Sequence, residues 1–395
     1  MKNFKIMITF FILIIIYIYV ANITLIPEHI ILLKNEPYKI KKFIGVDTIE
    51  TISTLNDSGN MVSMDVTVFG TKVKDVTVET IENIEVVPIG KIIGMKLYTN
   101  GVLIVGMSEI ENMENELVSP YQNCDIKQGD TILKVNDTEI ENIENLKEVV
   151  NDSNGENVML TLLRDGTVVT SNITPVQTES DEYKLGLWVK DAATGVGTIT
   201  YYEKNTGSFA ALGHGIVDSD TDKLIDIDSG EIVTSDVVSI TKADVNSPGE
   251  IRGTIINQKK IGNVDKNTQF GIYGTLDNLT SLNINTEKSV PVALRNEIEV
   301  GDAQVLCSLD GKTTKEYSIK IEKIYTQNSY DNKSMLIRVT DDELIKTTGG
   351  IIRGLSGSPI LQNGKFVGAV TNVLVSKPEI GYAIFGDMMV KEMRK

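Results

Sequence analysis

Ser356 stands between Gly354 and Gly357 in the stretch 354–360 (Gly-Leu-Ser-Gly-Ser-Pro-Ile), which precedes an apolar, strand-like run at 366–370. Glycine adopts backbone angles that other residues avoid, so flanking glycines can hold a serine on a sharp turn. Such a turn can also aim successive backbone N–H groups at one point, as acyl transfer requires for an oxyanion. The stretch therefore suits a nucleophilic serine, although a Gly/Ser/Pro loop between two strands has the same composition.

A serine nucleophile needs a base with a pKa near neutrality, and imidazole is the usual choice. Of the two histidines in the chain, His29 lies beside the N-terminal apolar segment, which leaves His214 for the body of the protein. His214 is also flanked by glycines, in the stretch 210–216 (Ala-Ala-Leu-Gly-His-Gly-Ile). A lone histidine is more often a surface or core residue, but glycines on both sides are unusual for either. A pair of His214 and Ser356 is the favoured interpretation.

The amino-acid composition argues against a nucleic-acid partner and against chemistry that depends on cysteine or a metal. The net charge of −16 over 395 residues argues against a nucleic-acid partner, because no basic patch for phosphate is present. Cys124 and Cys307 fall in different predicted domains and lack metal-ligand spacing, so we predict small core residues, with no metal and no cofactor. A thiol nucleophile is disfavoured, because neither cysteine lies in a glycine-flanked turn.

The N-terminus predicts a membrane anchor. Residues 6–26 contain no charged side chain and are long enough to span a bilayer. A small-residue cleavage pattern is weak here, so we predict an uncleaved signal-anchor over residues 1–27. Lys2 and Lys5 precede the span and four lysines follow it between 34 and 42, so the charge rule does not favour an external C-terminus.

Beyond the anchor, the patterning is mainly β. Residues 28–87 are expected to form a juxtamembrane segment and a small β region, and residues 88–175 a separate domain. A polar stretch at 176–183 is interpreted as a linker. Short strands with frequent turn signals fill residues 184–395 and predict a sandwich or barrel, consistent with a chymotrypsin-like peptidase of two six-stranded barrels.

Residues 88–175 resemble a PDZ domain of the bacterial protease-associated type. The resemblance rests on the Gly-Asp turn at 129–130 and on a helix whose apolar face would carry Ile143, Leu146 and Val150. PDZ domains bind peptides by strand addition and capture a C-terminal carboxylate on backbone N–H groups. The resemblance implies that this loop and strand are Ile92, Ile93, Gly94 and Met95. A PDZ-like spacer with an empty groove is the alternative.

A histidine base works better when a carboxylate orients its ring. Residues 184–395 contain many aspartates, from Asp218 to Asp342, and most must be solvated. Asp341 stands out because it ends an apolar strand, 15 residues before Ser356. Position in the sequence alone leaves the other aspartates open.

The whole chain resembles the stage IV sporulation protein B family of membrane-anchored serine peptidases. The most specific stretches are 211–216, 339–351, 354–360 and 364–371. This resemblance implies that His214 is the base, Asp341 the orienting carboxylate and Ser356 the nucleophile. It also implies an oxyanion hole made by the backbone N–H groups of Gly354 and Ser356, and a primary pocket lined by the strand 366–373.

The same resemblance implies a role in sporulation signalling. Such enzymes act outside the cytoplasm, in the forespore-facing intermembrane space. They cleave themselves and a membrane protein that restrains an intramembrane metalloprotease, so that a late mother-cell sigma factor is activated. The PDZ ligand could be a segment of the same chain. Two alternatives are a general envelope quality-control serine protease and a non-catalytic PDZ scaffold.

Overall fold

The structure is a computed structural model and describes residues 10–11, 13–14, 16–17, 20, 29–33, 46–47, 61–68, 71–81, 84–254, 259–282, 284–325 and 332–395. Numbered in chain order, the strands are β1 (His29–Leu33), β2 (Val46–Asp47), β3 (Met61–Val68), β4 (Thr71–Ile81), β5 (Glu85–Met107), β6 (Ile110–Glu111), β7 (Leu117–Val118), β8 (Thr131–Val135), β9 (Thr138–Glu139), β10 (Val158–Arg164), β11 (Thr167–Ile173), β12 (Val176–Gln177), β13 (Tyr183–Lys184), β14 (Leu187–Glu203), β15 (Ser208–Ala211), β16 (Ile227–Thr234), β17 (Asp236–Thr241), β18 (Glu250–Thr254), β19 (Lys260–Thr268), β20 (Gly271–Leu276), β21 (Val290–Pro291), β22 (Gly301–Cys307), β23 (Lys315–Ile324), β24 (Met335–Val339), β25 (Pro359–Gln362), β26 (Lys365–Val373) and β27 (Ile380–Phe385). The helices are Ile143–Asp152, Leu279–Leu282, Asp342–Thr348 and Gly386–Met393.

Only part of the N-terminal region is described. Helical, exposed apolar residues occur between positions 10 and 20, inside the predicted anchor. The rest of the anchor lies outside the described residues, and among those described no helix has the length and apolar character to cross a membrane. Strands β1 to β4 form a small sheet in the order β1-β4-β3-β2, within the β region expected at 28–87.

Strand β5 belongs to two parts of the molecule, the first of two β-barrels in the peptidase region and the PDZ domain. It continues for 23 residues, and its sequence is rich in the β-branched residues that favour strands. Residues 93–99 of β5 pair with β16, whereas residues 102–103 pair with β8. Strand β14 follows β5 antiparallel along most of its length. Both domains are therefore built on the same pair of strands.

Two six-stranded rings make up the peptidase region. The pairings β5–β14, β14–β15, β15–β20, β20–β19, β19–β16 and β16–β5 close the first ring. Its core contains Ile93, Leu97, Phe209 and Ile272. The second ring is a closed barrel in the order β22-β23-β24-β27-β26-β25. Apolar side chains from the first ring and from the second ring pack together in one hydrophobic cluster.

An edge-to-face aromatic contact illustrates how the two barrels pack. The rings of Tyr201 from the first barrel and Phe366 from the second have centroids 5.3 Å apart. The C-terminal helix Gly386–Met393 packs on β15 and β20 of the first barrel as well as on β26 and β27 of the second. Its attachment is completed by Arg394, which donates to the buried carboxylate of Glu203 at 2.8 Å.

The PDZ domain has its own core. The helix Ile143–Asp152 buries Leu146 and Val150 against β8 and β10, on the face that the apolar spacing predicts. Asn142 caps the helix by accepting a hydrogen bond from Asn145 N (2.8 Å). The predicted polar linker is not a plain linker, because β12 and β13 within 176–184 pair as a hairpin.

The structure corrects the expected start of the PDZ domain and its peptide loop. Ile92, Ile93, Gly94 and Met95 lie in the first barrel, where they pair with β14. None of the four residues lines the cavity beside the helix Ile143–Asp152, and the three apolar side chains are at most 3% exposed. Apolar residues occur along the whole of β5, and only its pairing partners show where one domain ends.

Candidate active site

His214 and Ser356 line one cleft of about 760 Å³ between the two barrels. His214 follows β15 of the first barrel, and Ser356 precedes β25 of the second. The two side chains therefore meet only because the barrels pack against each other. The structure brings together the histidine and the serine that the glycine-flanked motifs select.

The turn that carries Ser356 needs glycine on both sides. Gly354 has φ +99° and Gly357 has φ +94°, in a region that favours glycine. A Cβ at Gly357 would lie 2.3 Å from the carbonyl oxygen of Thr198 and 2.5 Å from the amide nitrogen of Leu212. Gly357 thus allows the serine turn to approach both β14 and the segment before His214.

Two backbone donors of the same turn have no partner among the residues that the structure describes. Leu355 N and Gly357 N donate to carbonyl groups at 3.1 and 2.7 Å. For Gly354 N and Ser356 N, the described residues provide no acceptor. Backbone N–H groups without an acceptor, close to a serine hydroxyl, are the kind of donor that an oxyanion hole requires.

Thr198 on β14 ties the serine turn to the histidine segment. Its hydroxyl donates to the carbonyl of Gly354 (2.7 Å), and its N–H donates to the carbonyl of Ser356 (3.3 Å). Its own carbonyl accepts from Leu212 N (3.2 Å). Thr198 is fully buried. One residue of the shared strand therefore contacts both halves of the site.

The chain approaches His214 through two left-handed residues, Leu212 (φ +67°) and Gly213 (φ +70°). This conformation is rare for a bulky residue such as leucine and costs roughly 1–3 kcal/mol. Leu212 is held there by burial and by its hydrogen bond to Thr198. Strain of this kind occurs preferentially at functional sites.

The ring of His214 is partly buried and has a defined tautomer. Nδ1 lies 2.9 Å from the carbonyl oxygen of Gly215, and a carbonyl can only accept, so Nδ1 carries the proton. Nε2 is then left as the acceptor. Burial lowers the pKa of His214 below its usual value, and the hydrogen bond to Gly215 opposes this only in part. The ring is therefore a neutral base at neutral pH.

The hydroxyl of Ser356 is not hydrogen-bonded to this ring. Ser356 Oγ donates to the carbonyl of Thr371 on β26 at 2.8 Å. Catalytic hydrogen bonds are often long or absent without substrate. Ser356 and His214 thus lie in one cleft without a hydrogen bond between their side chains.

Asp341 is not brought to the histidine. Its Oδ1 accepts from Leu344 N (3.1 Å) as the N-cap of the helix Asp342–Thr348, and its Oδ2 accepts from Ser318 N (3.3 Å). It follows β24, which lies three strands away from β25 in either direction around the barrel. Although Asp341 is close to Ser356 in sequence, the two therefore extend from opposite sides of the ring.

Other candidate carboxylates and thiols are either hydrogen-bonded elsewhere or protonated at neutral pH. Asp218, four residues after His214, is 5% exposed and accepts from Lys190 Nζ at 3.0 Å. Burial raises the pKa of the Cys307 thiol to about 12, which leaves no thiolate at neutral pH. Cys124 is also a free thiol, and burial raises its pKa.

Several cleft residues escaped the sequence analysis. Met95, which the sequence assigned to the PDZ domain, lines the catalytic cleft together with Gln269 and Arg353. Asn372 also lines the cleft, from within the strand 366–373 that was expected to border the primary pocket. None of these residues belongs to a motif. Only a position next to a motif, such as that of Arg353 beside Gly354, could have indicated that a residue lies in the cleft.

A second cavity, of about 870 Å³, lies on the PDZ domain. The helix Ile143–Asp152 forms one wall, and residues 185–189 form the other. Two contacts join the ends of this helix to neighbouring segments: Tyr183 N donates to Asn151 Oδ1 (2.7 Å), and Ile143 N donates to Asp191 Oδ2 (2.9 Å). We call this cavity the PDZ groove.

Two barrels that contribute a histidine and a glycine-flanked serine to one cleft, beside a PDZ domain, define a serine peptidase with an attached PDZ module. Comparison with protein families agrees with this class. The model of the SpoIVB peptidase S55 family matches residues 181–390, more than half of the chain, and the protein belongs to this family. A PDZ domain model matches residues 101–174, which excludes 92–95. No curated protein matches the chain.

Proposed function

We propose that the protein is a serine endopeptidase in which Ser356 is the nucleophile and His214 the general base. The observation that carries this proposal is the shared cleft, where a neutral imidazole and a glycine-flanked serine lie beside two unused N–H groups. Serine peptidases on unrelated folds use the same groups.

The mechanism follows from the atoms of the cleft. The hydroxyl of Ser356 leaves the carbonyl of Thr371 and donates to Nε2 of His214, while the Gly215 carbonyl holds the proton on Nδ1. Oγ attacks the substrate carbonyl carbon, and the ring takes the hydroxyl proton. The N–H groups of Gly354 and Ser356 stabilise the oxyanion, and the imidazolium then protonates the leaving amine.

Asp341 has a structural role in this proposal. As an N-cap it fixes the first turn of the helix that leads into the serine turn. Asparagine is an equally good N-cap and loses only the exposed contact from Ser318 N, so Asp341→Asn is expected to lower the free energy of unfolding by no more than about 1 kcal/mol and to keep kcat within about threefold of wild type. Asp341→Ala should lower the free energy of unfolding by about 1 kcal/mol.

Chemical denaturation and steady-state kinetics of both variants test this role. If Asp341 instead reaches His214 during catalysis, as the family resemblance implies, Asp341→Asn should lower kcat by about 10⁴-fold. A loss of that size would contradict the proposed capping role.

The PDZ groove is proposed to bind an extended peptide. At residues 187–193, β14 pairs with β5 on one edge, and no strand in the described part of the chain pairs with the other edge. That edge faces the apolar side of the helix, with Leu146 and Val150. Strand addition between them is the binding mode typical of PDZ domains.

The biological proposal is that this peptidase is a single-pass membrane protein of sporulation. Its peptidase domain would act outside the cytoplasm on itself and on a membrane protein, and so trigger activation of a late mother-cell sigma factor. Family membership and the apolar N-terminus support this proposal. A general envelope quality-control protease would use the same cleft and differ in selectivity.

Hydrolysis by the purified full chain, followed from pH 5 to 9, tests the catalytic proposal. Since burial lowers the pKa of His214, kcat/KM should rise with pH through a midpoint below 6.5 and reach a plateau at neutral pH. Selective cleavage of membrane-protein segments should accompany this profile. Broad digestion of casein would instead support quality control, and no hydrolysis by folded protein would support a scaffold.

A further inference from the structure

The loop that follows His214 is held from both ends. Residues 216–225 close on themselves, since Ile225 N donates to the carbonyl of Ile216 (3.1 Å). At the base of the loop, Asn267 of β19 donates to the carbonyl groups of Ile216 (2.9 Å) and Ile225 (2.8 Å). Val217 and Leu224 of this loop line the catalytic cleft. We call residues 216–225 the histidine loop.

The far end of the histidine loop is bound to the PDZ side of the molecule. Lys190 Nζ donates to Asp218 Oδ2 (3.0 Å) and also to Asp220. Lys190 lies on β14 opposite Leu103, in the part of the strand that joins the PDZ sheet. The loop thus reaches a strand whose other neighbours belong to the PDZ domain.

Two contacts come from the PDZ domain itself. Gln128 Nε2 donates to the carbonyl of Asp220 (2.8 Å), and Asp165 accepts from Lys223 Nζ (2.6 Å). These contacts are exposed, and each exposed contact stabilises little by itself. Asp218 differs, because its carboxylate is buried and also accepts from Asp220 N (3.0 Å) and Thr221 N (3.1 Å).

We propose that Lys190 and Asp218 are positioning residues, which clamp the histidine loop to the PDZ side and so hold His214 in the cleft. The proposal rests on the proposed peptidase activity and adds its regulation. Lys190 is adjacent to Asp191, which accepts from Ile143 N at the start of the helix that lines the PDZ groove. A ligand that enters the groove would therefore meet the same stretch of β14 that holds the loop.

The clamp gives a specific kinetic signature. Lys190→Met should lower kcat by about 10- to 100-fold, since a small displacement of a catalytic group has effects of this size. KM should change by less than about twofold, because Lys190 is not among the residues lining the cleft. The acid midpoint of kcat/KM should move up toward 6.5, because a released loop exposes the His214 ring to water.

Three further variants separate the clamp from simple loss of folding. Lys190→Arg keeps the cation and should recover most of the activity. Lys190→Met combined with Asp218→Asn leaves no unpaired buried charge, so it should fold and still show the kcat defect. Lys204→Met removes an exposed ion pair with Glu287 on the first barrel and should behave as wild type.

The experiment measures kcat, KM and the pH midpoint on the full chain, together with the rate at which a fluorophosphonate labels the protein. Far-UV circular dichroism and thermal unfolding report whether each variant is folded. Wild-type kcat and midpoint in both the single and the double variant would overturn the clamp. Absence of labelling in the wild type would instead contradict the proposed function, on which the clamp depends.

Discussion

Ser356→Ala is expected to reduce peptide-bond hydrolysis by roughly 10⁶-fold, as loss of the nucleophile does in other serine peptidases. The hydroxyl is the group that would form the acyl-enzyme, and alanine leaves only the N–H groups of the turn to act on the substrate. The fold should be unchanged, because the substitution removes one hydrogen bond, from Oγ to the carbonyl of Thr371. Fluorophosphonate labelling should disappear with the activity.

The matched control is Ser358→Ala, two residues further along. Ser358 Oγ is buried and has no hydrogen-bond partner among the described residues, so its removal should not affect labelling and should change stability little. The labelled residue can be identified by peptide mapping. Normal labelling in Ser356→Ala, or loss of labelling in Ser358→Ala alone, would place the nucleophile elsewhere.

Gly357→Ala is expected to have the second largest effect. The new Cβ would lie 2.3 Å from Thr198 O on β14 and 2.5 Å from Leu212 N in the segment before His214. These two backbone atoms are hydrogen-bonded to each other, so they cannot move independently. Together with the positive φ, this overpacking should lower the free energy of unfolding by about 3–5 kcal/mol. It should also separate the serine turn from the segment that positions His214, and so reduce activity in any protein that still folds.

Gly364→Ala provides the control for backbone conformation alone. Gly364 has φ +75°, but nothing lies within 4 Å of its Cβ position. Gly364→Ala should therefore lower the free energy of unfolding by only about 1–2 kcal/mol, and the variant should keep its activity. Thermal unfolding of the two variants separates the effects. Equal losses would show that φ, and not the close approach to Thr198 and Leu212, decides the role of Gly357.

The glycine-flanked turns could be recognised from the sequence because their conformation depends on neighbours along the chain. The glycines around Ser356 and His214 are needed by the turns themselves, so the motifs could be recognised without the fold. The helix face with Leu146 and Val150 follows from 3.6-residue periodicity in the same way. The mainly β architecture followed from short alternating runs, and the structure has both the β-barrels and the PDZ domain.

Strand pairing was beyond the reach of these patterns. The resemblance to PDZ domains assigned residues 92–95 to the peptide-binding loop and strand, yet they pair with β14 and β16 in the first barrel. The outer wall of the PDZ groove comes instead from residues 185–189, after the stretch interpreted as a linker. Period-two alternation identifies a strand but contains no information about its partner, which depends on residues far away in the sequence.

The sequence by itself determined which residues could serve as nucleophile and base, because only one body histidine exists and both residues are placed by adjacent glycines. Only the tertiary structure decided which of these groups meet. His214 and Ser356, far apart in the chain, share a cleft because two barrels pack together, whereas Asp341, much nearer to Ser356, ends a strand on the opposite side of its barrel. Closure of a β-barrel sets distances by strand order, and strand order is a property of long-range pairing.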